Sequence, residues 1–280
     1  MYRRRERFVL FSAYKFDFGV GDFDDHIEYY FPLTEEVKVS NVESEACKLC
    51  GSNSKLCNSH ILPEFFYLDL YEEHKTLQIT KDGEKILQKG IREYLLCQQC
   101  ETKLSRYEKY AKELIQRIPA FPINNDLGFL YSEDVNYAKF KLFQLSILWR
   151  AGISTHKAFA QVSLGSHEEK IRKMLYEENP GKVSDYGCLM SIIPNSKMIH
   201  KILQSPTKFP KKFFGHNAYK FVTGNLTWVF VVTSHHISSM MKELFFQESG
   251  VLRIMSSRHS EKSEIMRLAR ILQGMGKGSR

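Results

Sequence analysis

Apolar residues recur at helical spacing through the middle of the chain and alternate with polar ones after Asp185. In ETKLSRYEKYAKELIQRI, residues 101–118, the residues Leu104, Tyr107, Ala111, Leu114 and Ile118 fall on one helical stripe, and Pro119 stops it. PEFFYLDLYEEH, residues 63–74, predicts a shorter helix with Pro63 in its first turn. FPINNDLGFLY, residues 121–131, is expected to be a linker. A long helix should start at Ser132, with Glu133 and Asp134 suited to its dipole, and run through NYAKFKLFQLSILWRAG. Phe140, Leu142, Phe143, Leu145, Ile147, Leu148 and Trp149 cover nearly every side of it, so it should be central and buried. Ser166 and Glu169 suggest a capping box for another helix, which NPG at 179–181 ends.

The alternating part predicts strands at YGCLMSII and GVLRIMSS, and a hairpin at AYKFVTGNLTWVFVV turning on Gly224-Asn225. RFVLFSAYKF near the N-terminus is a further strand candidate, and SEKSEIMRLARILQGM a closing amphipathic helix. The expected class is α+β. Residues 1–42 form an N-terminal extension with an acidic segment. Residues 43–120 form a cysteine module. Residues 132–280 form a helical domain with an antiparallel sheet in the C-terminal half and a basic surface.

Charge is unevenly spread. Residues 16–36 hold seven acids and no Lys or Arg, whereas residues 197–280 hold fourteen Lys/Arg against four Glu. A basic surface of this kind suits a polyanion, so nucleic acid is the expected partner. The acidic segment is a candidate site for a protein partner. The loop PTKFPKKFFGH interleaves Lys208, Lys211 and Lys212 with Phe209, Phe213 and Phe214, a mixture that suits a phosphate backbone with stacked bases. The same aromatics would also serve to anchor the loop in the core. The longest apolar runs, FKLFQLSILW and LTWVFVV, fall well short of the ~18 residues a membrane span requires, and no cleavable leader is read at the N-terminus. A cytoplasmic location is expected.

Four of the six cysteines form two Cys-x2-Cys pairs, Cys47/Cys50 and Cys97/Cys100, with 46 residues between them. In a reducing compartment such pairs supply four thiolates to one structural Zn²⁺. Gly51 allows the chain to turn after the first pair, and the second pair opens a helix. Cys57 is read as a small core residue or free thiol.

The segments CKLCG, NSHILP and EYLLCQQCE resemble the treble-clef HNH endonucleases, over roughly residues 45–150. The later segments QKGIREYLLCQQCETKLSRYEKY and FQLSILWR are similar to a group of uncharacterised bacterial proteins carrying this module. The resemblance implies a ββα scaffold on which a histidine acts as general base and one divalent cation stabilises the scissile phosphate. It places His60 on the general base. It places Ser59 where an Asp ligand is usual, Arg92 near the loop Asn, Glu101 after the last cysteine and Ser105 one turn later. Serine is a poor cation ligand and arginine is none, so Glu101 and Glu108, which share a helix face, are the candidates to hold Mg²⁺ or Mn²⁺. Alternatively the two glutamates belong to a solvated face paired with Lys103, Arg106 or Lys109, and His60 packs the knuckle or ligates zinc. The expected function is an HNH-like metal-dependent endonuclease, with a bacterial defence role implied by the resemblance. The alternative is a non-catalytic, zinc-stabilised nucleic-acid-binding or complex-forming protein.

Overall fold

A computed structural model of the protein describes residues 46–68, 76–80, 83–87, 90–124, 128–192, 202–209 and 212–256, all within one compact unit. The acidic N-terminal segment, its strand candidate, the closing helix and Lys211 lie outside the described residues.

The described part is mixed α+β with four helices: α1 Gln98–Arg117, α2 Tyr137–Ile153, α3 His167–Tyr176 and the short α4 Ser239–Glu243. Strands β1 (Leu56–His60) and β4 (Arg92–Cys97) form a two-stranded antiparallel ribbon. Nine further strands make one sheet in the order β3-β2-β8-β9-β10-β7-β11-β6-β5. They are β2 Thr76–Thr80, β3 Gly83–Leu87, β5 Ile123–Asn124, β6 Phe129–Ser132, β7 Cys188–Ile192, β8 Ile202–Lys208, β9 Asn217–Thr223, β10 Leu226–Val232 and β11 Leu252–Ser256.

The expected antiparallel sheet needs two corrections. β2 pairs with β8, and β11 with β7, in parallel. Four strands also come from before α2: β2 and β3 from between the cysteine pairs, β5 and β6 from the expected linker. The predicted hairpin is present, with Gly224 at φ +59 and Trp228 Nε1 donating to Thr223 Oγ1 at 2.8 Å. Its strand β10 is buried at all seven positions, as a central strand covered on both faces must be. The β8–β9 register slips between Gln204 and Thr207, beside Pro206, which has no N–H to give a ladder.

The central helix begins five residues later than expected. Ser132 ends β6 and turns its hydroxyl to Asp134. Asn136 is the cap, its Oδ1 accepting from Lys139 N at 2.9 Å. Every residue from Phe140 to Ala151 is buried, including Lys141, Gln144, Ser146 and Arg150. Phe140 and Phe143 pack on Trp228 at 6.1 and 6.2 Å, setting α2 against the sheet, and α1 and α3 pack on α2. The helix α3 forms where expected, but Ser166 makes no side-chain cap and Glu169 pairs with Arg172. Of the short helix expected from Pro63, a 3-10 turn at Glu64–Phe66 is described.

Gly187 shows how tightly this core is filled. A Cβ there would land inside the ring of Phe245, which is itself wholly buried. Gly187→Ala is expected to cost about 1–3 kcal/mol by overpacking, read as a lower denaturation midpoint at unchanged slope.

Candidate metal centre

The Cys47-x2-Cys50 turn is closed by Gly51 N donating to Cys47 O at 2.8 Å, with Gly51 at φ +77, where a side chain would strain the backbone. It docks on the ribbon through Lys48 N and Leu95 O at 2.9 Å. β4 ends at Cys97, and α1 starts at the next residue and carries Cys100 in its first turn. All four sulfurs lie within 4.8 Å of one another, the one cluster of this kind among the described residues. Cys50 Sγ and Cys97 Sγ are 3.8 Å apart, the separation that two sulfurs at about 2.3 Å from a tetrahedral ion require. Cys97 N–H donates to Cys47 Sγ at 3.3 Å, which favours a thiolate there. Burial pushes the Cys47 and Cys100 thiols up. Burial also opposes ionisation of Cys50, but hydrogen bonds with Ser52 and the neighbouring cysteines bring it to about 6. The four thiols fit a structural metal such as zinc. Cys57 stands outside the cluster, its thiol directed at Gln98 Oε1 at 3.5 Å.

His60, at the end of β1, is not part of the cluster. Its Nε2 accepts from Arg92 Nε at 2.9 Å and lies 3.9 Å from Glu64 Oε1. The ring stacks on Tyr67, and Gly90 lies so close that a Cβ there would sit 3.0 Å from His60 Cδ2. Burial first, then the Arg92 charge, lower the imidazole to about 4, so it is neutral at pH 7.

The two candidate glutamates are not brought to His60's ring. Glu101 accepts from Ser59 Oγ at 2.6 Å, and Ser59 is buried. Side chains alternate along a strand, so Ser59 and His60 face opposite sides of β1. Glu108 binds Arg150 Nη2 at 2.6 Å. Neither glutamate pairs with Lys103, Arg106 or Lys109 as the solvated-face alternative supposed. Lys103 and Arg106 turn to Glu178 instead. Ser105 bonds back to Thr102 O in its own helix.

Arg150 is the residue that sequence reasoning missed. It is 1% exposed, and besides Glu108 it donates to His60 O at 2.8 Å and to Ser146 O at 3.3 Å. Glu93 was missed as well: its carboxylate accepts Thr155 N at 3.1 Å and His156 N at 3.0 Å, tying β4 to the chain after α2. The arginine among the large apolar residues near the end of that helix was the available signal for the first. Nothing in the sequence pointed to the second. The middle of α3 adds another tie, with Arg172 bonded to Leu49 O in the cysteine turn.

Comparison with protein-family models, curated proteins and solved structures finds no match to this chain.

Purified protein is expected to carry one zinc per chain. Cys97→Ser should lose it and lower the melting temperature, and a fully folded metal-free preparation would contradict the assignment. His60 generates a pH prediction. Its folded value is about 4 against an ordinary 6.5, so the unfolded chain binds the proton first as pH falls. Its contribution is complete above pH 6.5 and is lost between about 6.5 and 4. The wild type should therefore lose more melting temperature over that interval than His60→Gln, which keeps an acceptor for Arg92. Parallel curves for the two proteins would refute the half-buried neutral imidazole.

Proposed function

We propose that the protein binds nucleic acid and that its cysteine module is a zinc-stapled, treble-clef-type scaffold rather than a cleavage centre. The observation that supports this most is the commitment of all three candidate catalytic groups. His60 Nε2 is held by Arg92, Glu101 by Ser59 and Glu108 by Arg150. A divalent cation beside His60 would meet two guanidiniums, Arg92 at the ring and Arg150 at the carbonyl, and their charge opposes it.

The partner class follows from charge. Residues 186–242 hold seven lysines and four histidines and not one Asp or Glu. Lys208 and Lys212 are exposed. Phosphates are the polyanion such a surface meets most readily, and each contact releases counterions.

One observation favours a second reading, the HNH-like Mg²⁺- or Mn²⁺-dependent endonuclease with its implied defence role. His60 is neutral at pH 7, as a general base must be, and stands on the strand of a ribbon that leads into a helix.

The two readings part in one assay. Zinc-loaded protein should retard labelled oligonucleotides, with affinity falling steeply as salt rises. The strands should stay intact with Mg²⁺ or Mn²⁺ present. Replacing Lys208, Lys211 and Lys212 together by Ala should weaken binding with little change in melting temperature. Cleavage that disappears in a folded, zinc-loaded His60→Ala variant would establish the second reading over the first.

A further inference from the structure

Between β8 and β9 the chain makes a tight turn at Phe213–His216. Phe213 N donates to His216 O at 2.7 Å and His216 N to Phe213 O at 2.9 Å, leaving Phe214 and Gly215 as the two central residues. Both have positive φ, +47 for Phe214 and +86 for Gly215. Glycine takes that conformation freely. For a bulky aromatic it is an outlier, since the side chain meets its own backbone, and Asn, Asp or Gly is the usual choice at the first position of such a turn. The strain is not repaid by burial, because Phe214 is 45% exposed.

Phe213 behaves in the opposite way. It is 4% exposed and packs on Phe209 at 5.2 Å, which anchors the turn in the protein. Phe214 stands edge-to-face on Phe213 at 4.8 Å, so its ring is braced while it projects outward. One aromatic of the pair therefore serves the fold, and the other is displayed.

The charged residues described beside the turn are basic. Lys208 and Lys212 flank it on the N-terminal side, both exposed. His216 bonds to Thr233 Oγ1 at 3.1 Å, and His235 follows on the same segment, exposed. Burial lowers the His216 imidazole, and His235 and Lys212 lower it further, the mark of a locally positive field. In sequence no acid occurs between Asp185 and Glu243.

We infer that Phe214 is a stacking residue for an unpaired base of single-stranded nucleic acid, held at the turn tip with Lys208 and Lys212 placed to meet the adjoining phosphates. A base presents a π-face to an exposed ring only when it is not paired within a duplex, so the ligand class is a single strand. The inference rests on the nucleic-acid reading above and narrows it. A membrane surface would also accept a displayed aromatic among lysines, but a flexible single strand can use both the ring and the flanking charges at one turn.

The test is fluorescence anisotropy with the full-length, zinc-loaded protein and three probes of about 20 residues: oligothymidylate, an abasic strand of equal charge and a duplex. Wild type should prefer oligothymidylate to both others. Phe214→Asn should weaken oligothymidylate binding on the order of tenfold, leave the abasic strand unchanged and raise the melting temperature, because Asn suits the turn. Phe214→Trp should keep the affinity. A loss of affinity with a gain in stability cannot come from misfolding. Equal binding of oligothymidylate and abasic strand, unchanged by Phe214→Asn, would overturn the stacking role and leave the polyanion reading standing. No binding to any probe would overturn both. Loss of binding to phosphatidylserine vesicles alone in Phe214→Asn would assign the ring to a membrane surface and refute the inference.

Discussion

A buried guanidinium sets the terms for the region around the cysteines. Arg150 lies in the last turn of the buried helix α2 and is 1% exposed. A charge in that position is tolerated only if its donors are satisfied, and removing one partner of such a pair typically costs about 3–5 kcal/mol. Its partners come from three elements: Glu108 of α1, Ser146 of α2 and the carbonyl of His60 at the end of β1. The need to satisfy Arg150 therefore fixes where the ribbon and α1 lie on α2. It also removes Glu108 from the set of groups free to hold a cation. Glu93, beside His60's partner Arg92 at the same end of the ribbon, repeats the device, receiving two backbone N–H groups from the segment after α2.

The cysteine cluster acts on the same framework from the far side. Its two pairs lie 46 residues apart, and the chain between them leaves the ribbon, contributes β2 and β3 to the large sheet and returns as β4. A metal holding both pairs would close that excursion at its base. With Arg150 pinning β1 to α2 and Arg172 pinning the cysteine turn to α3, the ribbon is tied at several points to the helices. Such an arrangement suits a rigid scaffold. On the large sheet, Lys208 at the end of β8 and Lys212 before β9 are exposed.

Much of the helical part was legible because its period is strong. The stripe from Leu104 to Leu114 is buried as its spacing requires, and the all-round apolar helix is central. The paired cysteines were legible because few constraints other than a shared ion produce that spacing, and the fold brings all four together. The hairpin announced itself by Gly224-Asn225. What escaped had weak local signals. β2 and β3 are short and lie in a polar stretch, and β5 and β6 are still shorter; β2 and β6 join the sheet through the distant strands β8 and β11, and β3 and β5 pair only with β2 and β6. The start of α2 was misplaced because Ser132 and Asn136 both offer a capping oxygen, and only the tertiary contact of Val135 N with Gly250 O shows which lies outside the helix. The partners of His60, Glu101 and Glu108 were illegible for the same reason: Arg92, Ser59 and Arg150 reach them through pairing and packing across 32 to 42 residues of chain.

His60, Glu101 and Glu108 are each engaged by a neighbouring side chain, and on the proposed scaffold reading they offer no seat for a second cation. Titration of zinc-loaded protein with Mn²⁺, followed by electron paramagnetic resonance of the free ion, tests it most directly. No saturable site is expected at low occupancy, and the titration of Glu101→Gln should be identical. A single saturable Mn²⁺ site that vanishes in Glu101→Gln or Glu108→Gln, with the zinc retained, would contradict that reading.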